Sequence, residues 1–181
     1  MKLIIIKFIS FLVLFYYKYI RGFNLKIGNN VVCNHKLVIK GPGQVIIRDN
    51  VNLWAHSEKT RLETYSKKAL IKIGSNSRIN GAVIQARKKV IIKKDCIIGS
   101  ANIMDNDFHH LDPKKRKQTN NIPTKPVIIE KNVWIAGQAA VLKGVTIGEN
   151  SVIGFRAVVT KDVSENVVVA GNPVKVVKRW S

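Results

Sequence analysis

A chain of 181 residues with 46% apolar side chains is about the size of one folded unit and apolar enough to bury one core. Two cysteines, Cys33 and Cys96, are too few for a disulfide framework and form no CxxC metal pattern, so they read as small apolar core residues. The balance of 31 Lys and Arg against 11 Asp and Glu gives +20, a field that draws phosphates, nucleic acid or an anionic membrane without choosing among them.

Residues 1–23 differ in composition from all that follows. From Leu3 to Tyr17 only Lys7 and Ser10 interrupt a run of Leu, Ile, Val, Phe and Tyr, and Lys18 and Arg21 close it. The run falls short of the about 20 apolar residues that span a bilayer. No small-residue cleavage site precedes Asn24, so a removable signal peptide is not expected. On a helical wheel Lys7, Ser10, Lys18 and Arg21 share one sector, which predicts a helix lying on an anionic membrane surface through residues 1–22. The other reading is a helix buried against the body of the protein or a partner subunit.

From about residue 25 the period is neither 2 nor 3.6. Ile129, Ile135, Val141, Ile147, Ile153 and Val159 recur every six residues, and Val127, Val133, Ala139, Val145, Ser151 and Ala157 stand two residues before them. With breaks, the ladder reads back through Met104, Ile98, Ile92, Ile79, Ile73, Leu53, Ile47, Ile39, Cys33 and Ile27. A six-residue period predicts stacked coils of short strands and tight turns, each turn sending one aliphatic side chain inward. Gly28, Gly74, Gly99, Gly148 and Gly154 follow inward aliphatics, where a missing Cβ relieves crowding at the bend. Residues 24–181 therefore form one solenoid. The ladder fails between Met104 and Ile129, so residues 105–126 leave it as an external loop, the kind of segment that carries function on a rigid scaffold.

The runs Val133-Trp134-Ile135-Ala136-Gly137, Gly144-Val145-Thr146-Ile147-Gly148, Val158-Val159-Thr160-Lys161-Asp162-Val163 and Ala170-Gly171-Asn172-Pro173 resemble the C-terminal half of galactoside, maltose and xenobiotic O-acetyltransferases. The likeness covers about residues 70–178, and polysaccharide-biosynthesis acetyltransferases share it. It implies an all-β, left-handed parallel β-helix of hexapeptide repeats with an external active-site loop and a short C-terminal extension. It also implies a homotrimer with sites between subunits, acetyl-CoA as donor and a sugar or glycan hydroxyl as acceptor.

Residue by residue, His109 matches the histidine that opens the family's extended loop and acts there as general base. The chemistry requires one, because a hydroxyl is a poor nucleophile until a base of near-neutral pKa takes its proton. His110 is the rival. Asn80 stands at the position of an active-site asparagine that contacts the acceptor or the developing oxyanion; its structural alternative is an asparagine ladder at a turn. Asp107 is a candidate to orient the His109 ring. The resemblance places Trp134, Ala136 and Gly137 along the pantetheine arm and Thr160 and Lys161 at the nucleotide phosphates, with Lys175 and Lys178 able to close that site. Phe155 and Arg156 depart from the family's small residues, reshaping the coenzyme channel and adding a possible phosphate contact. The run Lys114-Lys115-Arg116-Lys117 beside His109 suits steering of an anionic acceptor or membrane. His35 and His56 read as surface residues.

A cytoplasmic enzyme at the inner membrane face, acting on surface-polysaccharide or lipid-linked sugar intermediates, fits the basic, apolar N-terminus. Antibiotic acetylation and N-acetylation of an amino sugar keep the same mechanism. A zinc site needs three convergent histidines and is not expected. Nucleic-acid binding, suggested by charge alone, lacks interleaved aromatics or a known module, so no nucleic-acid partner is expected.

Overall fold

The computed structural model describes residues 2–180. From Leu25 the chain winds as a parallel β-helix of triangular section. The first coil is β1 (Leu25–Ile27), β2 (Val32–Cys33) and β3 (Leu37–Lys40). The next three are β4 (Gln44–Ile47), β5 (Asn52–Leu53) and β6 (Thr60–Thr64); β7 (Leu70–Ile73), β8 (Arg78–Ile79) and β9 (Val83–Ala86); and β10 (Lys89–Ile92), β11 (Ile97–Ile98) and β12 (Asn102–Met104). After the loop follow β13 (Val127–Ile129), β14 (Trp134–Ile135) and β15 (Ala140–Val141), then β16 (Thr146–Ile147), β17 (Val152–Ile153) and β18 (Val158–Val159). First strands stack as sheet A, second strands as sheet B and third strands as sheet C. Sheet B continues into β19 (Val167–Ala170), where β20 (Lys175–Arg179) folds back antiparallel.

The aliphatic ladder is the core. Ile73, Ile79, Ile92, Ile129, Ile135, Val141, Ile147, Ile153 and Val159 are fully buried, and both cysteines point inward among them. Burial pushes the Cys33 thiol up to about 12, against a smaller lowering by its hydrogen bond with Ser10. One rung differs from the sequence reading. In β12 the inward residue is Ile103 and Met104 faces outward half-buried, because this sheet B to sheet C corner uses five residues rather than six. The glycines after inward aliphatics mark close approach of neighbouring coils: a Cβ on Gly74 would lie 2.4 Å from the Lys93 carbonyl carbon, and one on Gly148 2.3 Å from the Glu165 nitrogen.

The three edges of the prism differ. At the A–B edge, Asn30, Asn50, Asn76, Asp95, Asn132, Asn150 and Asn166 all take left-handed backbone angles. Asn, which tolerates that region, is suited to the bend. Their side chains hydrogen-bond up the edge, with Asn50 donating to Asn76, Asn76 to Asp95, Asn132 to Asn150 and Asn150 to Asn166 at 2.9–3.1 Å. Asn80 is not in this ladder.

The ends are closed differently. Helix α1 (Lys2–Phe15), continued by a wide turn over Tyr16–Ile20, lies on the first coil. The Cys33 N–H donates to Ser10 Oγ at 2.9 Å and Tyr17 O–H donates to the Leu37 carbonyl at 3.0 Å, so α1 occupies the unpaired strand edges there. The wheel sector that grouped Ser10 with the lysines therefore turns Ser10 into the solenoid, and the surface left outside is apolar.

Candidate functional site

The loop of residues 105–126 leaves and re-enters at the C–A edge, and its stem is tightly held. Asp105 is wholly buried, and its carboxylate accepts the backbone N–H groups of Arg87, Lys88 and Lys89 at 2.6–2.7 Å. Asn106 bridges Thr124 in antiparallel fashion, and the Lys125 N–H returns to the Asp105 carbonyl at 2.9 Å. One coil above, Lys143 Nζ reaches Asp107 Oδ1 at 2.6 Å. Lys143 is thus the partner the structure shows for the Asp107 carboxylate. That carboxylate grips the next coil rather than the His109 ring, and only the Asp107 carbonyl meets His109, accepting the backbone N–H at 2.6 Å.

Phe108 takes a left-handed conformation (φ 60°) and packs edge-on against Tyr65 at 5.4 Å between ring centroids. This bend presents His109 exposed at the surface. His110 is tied to the loop instead, with Nε2 2.7 Å from the Asn120 carbonyl oxygen. The basic run lies in an exposed turn over Pro113–Lys115, capped by Asp112.

A different edge carries the other half of the candidate set. Trp134 stands outward on sheet B, half exposed, in a column between Ile97 and Val152 that forms an apolar strip beside the B–C edge. Asn80, Ala136, Gly137, Phe155 and Arg156 occupy turns of that edge, with the turn that carries Ser100 between those of Asn80 and Ala136. A Cβ on Gly137 would meet Ser100 Oγ at 3.3 Å and the Phe155 ring at 3.5 Å, so the missing side chain leaves a shallow trough under an exposed Phe155. Arg156, left-handed at φ 58°, spends its Nε on Gln138 Oε1 at 2.6 Å. The Asn80 side-chain oxygen accepts the His56 N–H at 3.0 Å, which turns the amide NH₂ away as the available donor.

A cavity of ≈ 490 Å³ opens along the same edge between Arg61, Gly81, Ser100, Asn102 and Gln138. Thr160 and Lys161 follow β18 and so belong to the C–A edge with His109, both exposed. Lys175 and Lys178 lie on β20, on the sheet B side, where the Lys178 ammonium sits 4.1 Å from the Trp180 ring centroid. Within one chain, then, His109, Thr160 and Lys161 share one edge, while Asn80, Trp134, Ala136, Gly137 and Phe155 share the next. Among the described residues no three His, Cys, Asp or Glu side chains gather into a metal-holding group.

Asp105, Lys143, Ile97 and Ser100 escaped the sequence reading. Asp105 was detectable as the acid at the point where the ladder breaks. Lys143 was not, since its partner lies 36 residues away and only the stacking of coils brings them together.

A solenoid of stacked six-residue turns interrupted by one histidine-bearing loop defines a hexapeptide-repeat protein. The family model described as bacterial transferase hexapeptide (six repeats) matches residues 126–161. Over that stretch the chain resembles the hexapeptide-repeat transferases. A Saccharomyces cerevisiae protein whose name provisionally assigns an acetyltransferase is 40% identical over 110 residues, covering 60% of this chain and 56% of that protein. The galactoside O-acetyltransferase of Lactococcus lactis subsp. lactis is 38% identical over 90 residues, covering 50% of this chain and 43% of that enzyme. The chain thus spans about half the length of these curated relatives. Among solved structures, a mutant of AntD, an N-acyltransferase from Bacillus cereus in complex with dTDP and coenzyme A, matches with a TM-score of 0.67 at 23% identity, covering 88% of this chain and 85% of that one. A maltose O-acetyltransferase from Clostridium difficile matches with a TM-score of 0.50 at 24% identity, covering 87% and 67%. These structures share the fold.

Proposed function

We propose that the protein is an acetyl-CoA-dependent O-acetyltransferase acting on a sugar hydroxyl, with a site completed between copies of the chain in a homotrimer. The observation that supports this most is the division of the candidate residues between two neighbouring edges of the prism. In this reading a ring of identical prisms sets the C–A edge of one copy against the B–C edge of the next. His109, Thr160 and Lys161 of one subunit then face Asn80, Trp134 and Gly137 of its neighbour. The resident groups fit an extended thioester donor. The Ile97–Trp134–Val152 strip suits an aliphatic arm, the Gly137 trough admits it closely, and Lys161 with Lys175 and Lys178 supplies cations for phosphates.

In this reading His109 accepts the acceptor's hydroxyl proton while the oxygen attacks the thioester carbonyl. The Asn80 NH₂ donates to the carbonyl oxygen as negative charge grows on it. The carbon–sulfur bond then breaks, and His109 gives its proton to the departing thiolate, which leaves the acetyl ester and the free thiol. The Asp107–Lys143 pair positions the loop that carries the base. His109→Ala should retain the fold, since the residue is outside the core, and lose about 10²-fold or more in kcat. His110→Ala should lose far less. Thiol release from acetyl-CoA with a panel of glycans measures both, and equal rates in wild type and His109→Ala would overturn the assignment.

A second reading, transfer to the amino group of a sugar nucleotide, is favoured by the higher TM-score to the N-acyltransferase. Mild alkali separates the two, because it cleaves an acetyl ester and leaves an acetamide intact.

A further inference from the structure

The outward side of α1 is an apolar surface that the fold leaves uncovered. Leu14 is buried against the first coil, with Val13 and Tyr17 packed beside it, and Ser10 fills the β2 edge. The opposite side, including Ile4, Phe8, Phe11, Phe15, Tyr19 and Ile20, is 41–73% exposed. A contiguous patch of that kind marks an interaction surface. The charged residues of the N-terminal segment itself are all basic. Lys7, Lys18, Arg21 and Lys26 lie on or beside α1, and the first acidic residue in the chain is Asp49. Two copies joined through this face would bring their lysines together with no carboxylate of that segment between them.

We propose that this face is a docking surface for an anionic lipid bilayer, with α1 flat in the headgroup region and the solenoid standing on it. Apolar and aromatic side chains enter the acyl boundary while the flanking cations meet lipid phosphates. The helix does not cross the membrane in this arrangement, because its Ser10, Leu14 and Tyr17 side is held by the coil. All three edges of the prism run away from this end. On the trimer proposed above, three such helices share one end and engage the same bilayer, raising avidity. Sheet C stacks β3, β6, β9 and β12 in order, with strands about 4.8 Å apart and a helix about 10 Å across beneath. The loop that carries His109 therefore stands about 25 Å above the helix. On the proposed acetyl-transfer reading, this height suits a glycan extended from a lipid carrier.

The test uses the full chain and sedimentation with vesicles of phosphatidylcholine, with and without phosphatidylglycerol. The wild type should bind the anionic vesicles, and added salt should weaken binding. The double substitution Phe8→Glu and Phe11→Glu alters only exposed side chains. It should lower vesicle affinity at least about tenfold, by analogy with the area term for two aromatics, while Tm and acetyl transfer to a soluble acceptor stay unchanged. Wild type that ignores anionic vesicles, variant and wild type that partition equally, or end-to-end self-association abolished by the same substitutions would each overturn the proposal. Vesicle binding is read without any enzyme assay, so loss of the acetyltransferase reading would leave this result standing.

Discussion

The A–B and C–A edges belong to the same prism and bend the same backbone, yet they do opposite work. Along the A–B edge each coil spends one left-handed residue, an Asn or Asp, and the asparagines hand side-chain hydrogen bonds to the next coil in two runs, Asn30 to Asp95 and Asn132 to Asn166. Nothing projects. Along the C–A edge the coils below and above the break are short turns, but between β12 and β13 the chain departs for residues 105–126. That departure is held at its stem by the buried Asp105 carboxylate and the partly buried Asp107–Lys143 pair, with Phe108 packed on Tyr65 and the loop's Ile122 buried. A repeated edge gives stability through many small bonds, whereas the loop-bearing edge concentrates its stability in a few residues and leaves the tip, with His109, exposed.

This contrast predicts unequal sensitivity. Asp105→Asn replaces an acceptor of three backbone N–H groups with an amide whose NH₂ must face at least one of them, and it should cost about 2–3 kcal/mol. Calorimetry should show the loss, and kcat/KM should fall as the loop loosens. At the A–B edge, Asn150→Ala loses one rung and puts a less tolerant residue at φ 60°, for about 1–2 kcal/mol, with kcat unchanged. Asn150→Gly keeps the angle accessible and should recover part of that loss. If Asn150→Ala lowered kcat more than Asp105→Asn, the division between the edges would be wrong.

A smaller, pH-dependent effect is expected on sheet C. Glu63 is buried on the outer face, which by itself raises its pKa, but hydrogen bonds from Arg61, Tyr65 and Gln85 outweigh burial and hold the carboxyl below its usual value. A group depressed on folding stabilises above the unfolded carboxylate pKa, about 4.3, and loses that contribution as pH falls through the lower folded value. Glu63→Gln should therefore melt below wild type at pH 7, and the gap should close in acid. A gap that widened as pH fell would contradict the sign.

The solenoid was legible because every turn must bury an aliphatic, so Ile129 through Val159 announce themselves by spacing alone. The single-residue error at Met104 arose where two adjacent apolar residues, Ile103 and Met104, fit either register. The asparagine ladder was expected as an alternative role for Asn80 but belongs to other asparagines on another edge; the repeated Asn three residues after Ile27, Ile47, Ile73, Ile129 and Ile147 was its available signal. The loop's boundaries followed from the broken period. The partner of Asp107 did not, because side-chain pairing between coils depends on which residues stack. For the same reason Ser10 read as part of a polar membrane-facing sector, while the structure uses it to cap β2.

If one site needs two chains, mixing subunits will reveal it. His109→Ala removes the base from the C–A edge, and Gly137→Glu fills the trough on the B–C edge with a charged side chain that Ser100 and Phe155 can accommodate only by giving way. Each variant alone should form trimers with acetyl transfer at about a hundredth of the wild-type rate or less. Dissociated together at equal amounts and reassembled, they should regain about a quarter of wild-type activity, the share of interfaces that pair an intact His109 edge with an intact Gly137 edge. Mixed assemblies that remain inactive, with trimers verified by mass, would place the whole site within one chain and contradict the account.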